Sequence, residues 1–143
     1  MNARILLAAT TVILFSGTAN AETYEVRMLN KGEAGAMVFE PAFISAQVGD
    51  TVVFLPTDKG HNAESIEGML PAGAEVFVGE MNKEISVTLV QEGIYGVKCK
   101  PHYLMGMVAL IQAGAPVNLE EAKAAKHKGK AKSRFEELLT EVK

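Results

Sequence analysis

The sequence predicts an all-β fold, a Greek-key β-sandwich or barrel followed by two C-terminal α-helices, on three observations. Between Tyr24 and Gln112 apolar and polar residues alternate with the period of half-buried strands. Turn-forming clusters punctuate those runs at short intervals. Beyond Ala113 the apolar spacing changes to that of an amphipathic helix.

The elements follow in order. Residues 1–21 read as a secretory signal: Arg4 precedes the apolar run Ile5–Phe15, and small residues end in Ala19-Asn20-Ala21. That run is far shorter than the roughly 20 apolar residues a bilayer span requires, so cleavage before Glu22, and no membrane association afterwards, are expected. Residues 22–143 then form one domain, being too few for two cores. Within it, 22–113 is the sandwich. Tyr24, Val26 and Met28 share one strand face, as do Ile85, Val87 and Leu89, while Thr51–Leu55 is apolar enough for a central strand. Turns are expected at Asn30-Lys31-Gly32, Val48-Gly49-Asp50, Pro71-Ala72-Gly73 and Glu92-Gly93. In the last strand Tyr95, Val97 and Cys99 face inward and Lys98 faces outward. Residues 118–143 are the helical extension. Asn118 is placed to cap the first helix with its side chain, with Glu120 and Glu121 in the first turn. Lys128-Gly129 breaks that helix, and Phe135, Leu138, Leu139 and Val142 stripe the second. That stripe must bury against the sandwich or against a second copy; a monomer is expected.

The full chain carries 14 Lys and Arg against 17 Asp and Glu, and loss of Arg4 with the leader makes it more acidic, which argues against nucleic acid as a partner. The one cysteine cannot form an internal disulfide in the oxidising compartment that export implies. It lies in Cys99-Lys100-Pro101-His102-Tyr103-Leu104-Met105-Gly106-Met107, which gathers a thiol, an imidazole and a thioether within nine residues. Thiolate and imidazole ligands with a weak thioether suit copper in both oxidation states. A second imidazole is available at His61, after Gly60, where glycine would allow close backbone approach. Alone, His61 is as readily a structural histidine as a ligand. Zinc can also take two His and one Cys, but a thioether is a poor ligand for it. His127, in a lysine-rich tail, is expected to be a solvated surface residue. A cysteine nucleophile would need a cleft and an oxyanion-stabilising group that the sequence does not mark, so an enzyme is not expected.

On this loop and the distant His61-Asn62, the chain resembles the cupredoxins, or small blue copper proteins. Cys-x2-His-x4-Met is the spacing of the plastocyanins and pseudoazurins, and of these the pseudoazurins carry a helical tail. The resemblance implies one copper per chain held by His61, Cys99, His102 and Met107, with Met107 axial and Met105 on the rim. It implies that Asn62 ties the two ligand loops together and tunes the thiolate. It also implies a periplasmic one-electron carrier exchanging electrons through the edge of His102 with redox partners such as a nitrite reductase, the donor being unspecified. A periplasmic copper carrier or buffer is the alternative. Lys59, Lys98 and Lys100, close in sequence to these ligands, are candidates for docking an acidic partner.

Overall fold

The computed structural model of the protein describes residues 20–143, so nearly all of the expected leader lies outside the described residues. Among the described residues, eight strands form two four-stranded sheets. They are β1 (Thr23–Gly32), β2 (Gly35–Glu40), β3 (Phe43–Ala46), β4 (Thr51–Leu55), β5 (Glu64–Ser65), β6 (Ile85–Thr88), β7 (Gly93–Lys98) and β8 (Val108–Ala113). The sheet orders are β2-β1-β4-β6 and β3-β8-β7-β5, with β1 parallel to β4 and β3 parallel to β8. This is the Greek-key sandwich expected, and it remains two sheets rather than a closed barrel.

The alternation read from sequence marks the inner faces. Val26, Met28, Val52, Phe54, Leu89, Tyr95, Val97 and Cys99 meet between the sheets in one core. Central position explains the apolar run of β4, which is flanked by β1 and β6. Strands β7 and β8 are buried on both faces, because two helices cover the outside of their sheet. These are α1 (Leu119–Ala124) and α2 (Lys130–Leu139). Phe135, Leu138, Ala131 and Ala122 pack there on Ile94, Val108 and Leu110. The apolar stripe of the tail therefore docks on its own sandwich, and Arg134 Nη2 adds a hydrogen bond to Ala34 O at 2.9 Å.

Three local expectations need correction. The first hairpin does not turn at Asn30-Lys31-Gly32: β1 runs on to Gly32, and the turn is Glu33-Ala34, with Gly35 at φ 118. Asn118 precedes α1 but makes no side-chain cap. Its Oδ1 accepts the Ile94 N–H at 2.6 Å and its Nδ2 donates to Ile94 O at 2.9 Å, so the amide pins the tail to β7 instead. Helix α1 also ends before Lys128-Gly129, with Ala125 already extended. The intervening segment turns His127 inward onto Phe135, with ring centroids 4.3 Å apart.

Candidate metal centre

One end of the sandwich brings the two distant pieces of sequence together. Cys99 follows the last residue of β7, and the loop from it returns to β8 with Met107. The Cys99 N–H donates to Met107 O at 3.0 Å, closing the loop at its neck. Inside it, the Met105 and Met107 N–H groups both donate to His102 O, at 3.0 and 3.2 Å, around a single 3-10 turn at Tyr103–Met105. Gly106 ends that turn at φ 88, and a Cβ there would meet Lys130 Cβ and Arg134 Cγ of α2, each at 3.1 Å. Glycine is required on both counts. The loop's spacing is thus enforced by its own backbone bonds and by the helix packed against it.

His61 Nδ1, His102 Nδ1 and Cys99 Sγ converge. The two nitrogens are 3.1 Å apart, and the sulfur is 3.7 Å from each. Three ligands around one ion, at ordinary metal–nitrogen and metal–sulfur bond lengths of roughly 2.0 and 2.3 Å, stand at about these separations. The residues present therefore fit a first-row metal ion. His61, Cys99 and Met107 are all 0 % exposed, whereas His102 is half-buried, with exposed Pro101, Leu104 and Met105 around it. The two methionines of the loop differ in burial: Met107 is enclosed, whereas Met105 is 45 % exposed.

The surroundings of the ligand candidates act on them differently, and His61 is held in the state a metal needs. His61 Nε2 lies 2.8 Å from Asn30 Oδ1, an acceptor, so the proton belongs on Nε2 and the Nδ1 lone pair faces the site. Burial first, and the adjacent His102 second, keep the His61 imidazole below its ordinary pKa and so neutral. Burial pushes the Cys99 thiol up, opposed by the backbone N–H groups of Asn62 and His102. Asn62 joins the two ligand segments: its Oδ1 accepts the Lys100 N–H at 2.8 Å, and its Nδ2 donates to Gly79 O and Glu64 Oε2, both at 3.1 Å.

The other expected site residues divide. Lys59 and Lys100 are exposed. Lys98 does not stand free as alternation suggested: its Nζ lies 3.4 Å from Glu64 Oε1 and 5.8 Å from the centre of the Tyr103 ring. Gly60 does not mediate a close approach, since a Cβ there would have nothing within 4 Å; its φ of 93 is what demands glycine. His127 is half-buried rather than solvated, with Nδ1 2.8 Å from the Tyr103 hydroxyl and a buried Nε2 that has no partner among the described residues. Sequence reasoning missed Asn30, taken for a turn residue, and Glu64. Asn30 is exposed and lies within β1, and Glu64 opens a strand of two residues, so neither carried a local signal of its role.

Comparison with known proteins agrees with this geometry. The model of the family described as copper binding proteins, plastocyanin/azurin family, matches residues 26–114. A pseudoazurin of Paracoccus pantotrophus is 50% identical over 136 residues, covering 94% of each chain. One from Methylorubrum extorquens is 44% identical over 143 residues, covering 97% of each. The crystal structure of native pseudoazurin from Hyphomicrobium denitrificans superposes with a TM-score of 0.82 at 46% identity, covering 85% of this chain and 98% of that one.

Proposed function

The chain belongs to the plastocyanin/azurin family of copper-binding proteins and groups with its pseudoazurins, which are copper electron carriers, and from that premise we propose that it is a periplasmic one-electron carrier with a type 1 centre formed by His61, Cys99, His102 and Met107. The observation that carries this reading is the convergence of two imidazole Nδ1 atoms and one thiol within 3.7 Å of one another, at the end of a rigid sandwich. Bound copper supplies the Cu(I)/Cu(II) couple. The chain supplies the rest. Cys99 gives up its proton and presents a thiolate, His61 is locked in one tautomer by Asn30, and the loop bonds to His102 O hold its imidazole in place. Because the ligands hang on interlocked backbone, they need not move when the charge of the ion changes, and small reorganisation is what fast electron transfer requires. His102 alone of the three reaches solvent, so its ring edge is the route for the electron.

Complete burial of His61 and Cys99 supports retention of the ion over its hand-over by a copper carrier or buffer. Export rests on the leader-like residues 1–21. The acceptor class we propose is a periplasmic reductase such as a nitrite reductase, with the protein acting as a monomer and not as an enzyme. The absorption spectrum of the Cu(II)-loaded protein tests the centre. An intense visible sulfur-to-copper band is expected, and Cys99→Ser should abolish it even where the histidines still bind copper. A serine variant that stays intensely coloured would show that the thiolate is not the ligand.

A further inference from the structure

Glu64 is a carboxylate only 9 % exposed, and the electron-carrier reading gives it no task. It lies on the two-residue strand β5, directly opposite Lys98 of β7, one residue before the Cys99 ligand. Its Oε2 accepts from Asn62 Nδ2 at 3.1 Å, and its Oε1 is 3.4 Å from Lys98 Nζ. Asn62 in turn accepts the Lys100 N–H at 2.8 Å, just beyond Cys99. The amide of Asn62 is therefore oriented from both ends: nitrogen toward Glu64 and Gly79 O, oxygen toward the ligand loop.

Removing a carboxylate from water is costly unless it is paired and hydrogen-bonded. Glu64 meets both conditions, but a neutral glutamine could accept the same Asn62 bond without the desolvation penalty. What distinguishes Glu is its negative charge, held in a low-dielectric layer behind the thiolate and paired with Lys98. Lys98 is partly exposed and flanks the ligand loop over the Tyr103 ring.

We propose that Glu64 is a positioning and charge-setting residue of the copper centre: it orients Asn62 against the ligand loop, and its charge, balanced by Lys98, sets the preference of the site for Cu(II) over Cu(I). An uncompensated negative charge near the ion favours the higher oxidation state. The Glu64 carboxylate therefore pulls the reduction potential down, and Lys98 pushes it back up. An acidic partner that draws Lys98 away from Glu64 on docking would lower the potential of the bound carrier and ease release of its electron. By linkage, such a partner binds the oxidised form more tightly than the reduced form.

The inference rests on the copper-carrier reading, and the experiment separates the two. In copper-loaded protein, Glu64→Gln should keep the visible band and raise the midpoint potential. Lys98→Gln should keep the band and lower it, and Lys98→Arg should restore the wild-type value. Each shift should correspond to a change of up to roughly tenfold in the Cu(II)/Cu(I) affinity ratio, about 59 mV for one electron. The double variant should return toward wild type. In metal-free protein, Glu64→Gln should displace the Asn62 side-chain amide resonances, whether or not copper is the native ion. Opposite signs are what a merely architectural role would not produce. Shifts of the same sign, no shift with an intact band, or loss of the band in a folded Glu64→Gln protein would each overturn the inference. A wild-type protein without the band would overturn the carrier reading instead.

Discussion

Met105 and Met107 share one short loop, yet one is 45 % exposed and the other is fully buried beside Cys99. A weak axial ligand tunes potential more than it holds the ion. Met107→Gln, which exchanges a soft sulfur for a hard oxygen, should retain copper and lower the midpoint potential in voltammetry, while Met105→Gln should shift it much less. A larger effect from Met105 would reverse the assignment. At this scale the sequence was most legible where chemistry is rare: a lone cysteine with a histidine three residues on and a methionine beyond it points to a metal loop through residue types alone. It was least legible for Asn30. Asparagine beside Lys31-Gly32 has the composition of a turn, but the hairpin closes later and leaves Asn30 in β1, where its Oδ1 takes the His61 proton and its N–H donates to Asp58 Oδ2 at 2.7 Å. The partner that decides the matter is 31 residues away, beyond any local pattern.

Among the elements, α2 does more than cover a sheet. Phe135 is 1 % exposed against β8 and the His127 ring, and the same helix crowds Gly106 of the ligand loop. Phe135→Ala should cost about 3–5 kcal/mol, as deletion of a fully buried aromatic does, read as a lower denaturation midpoint. A cost below about 1 kcal/mol would mean that the tail is not part of the cooperative unit. The loop between the helices adds a pH term. Burial holds the His127 imidazole below its ordinary value of 6.5. The unfolded chain therefore takes up this proton first as pH falls, and a proton on the buried Nε2 would find no acceptor among the described residues. The contribution of His127 to stability is thus complete above about pH 6.5 and is lost as pH falls through the lowered folded value. Replacing it with Phe should flatten the fall in thermal midpoint below that pH; an unchanged pH profile would remove His127 from the account. Periodicity revealed the helix stripe, but a histidine among lysines looks solvated in sequence. Only the docked aromatic surface shows why it turns in. Asn118 is the same lesson: the residue type suits a cap, yet the open backbone groups of Ile94 compete for the side chain and win.

For the molecule as a whole, what remains is how a net acidic chain presents a positive face to a partner. The sequence carries three more acidic than basic side chains, yet Lys59 and Lys100 stand exposed next to the segments that carry His61 and Cys99. Around His102 the rim is otherwise apolar, with Leu104 60 % exposed. An apolar patch flanked by cations suits an encounter guided by charge and completed by desolvation, with an acidic protein surface as the complement. Lys98 is excluded from the free cations by its pairing with Glu64, which no reading of strand alternation could foresee, because the pairing depends on β5, a strand of two residues. Steering by the other two acts over a Debye length of about 8 Å at physiological ionic strength. The bimolecular rate of electron transfer to an acidic periplasmic reductase should therefore fall as salt rises. Lys59→Ala and Lys100→Ala together should lower that rate roughly two- to tenfold at low salt and flatten its salt dependence, with the visible spectrum unchanged because both side chains are exposed and neither is a proposed ligand. Stopped-flow mixing at a series of ionic strengths measures both quantities. If the double variant keeps the wild-type rate and slope, the electron leaves through a face that these lysines do not border.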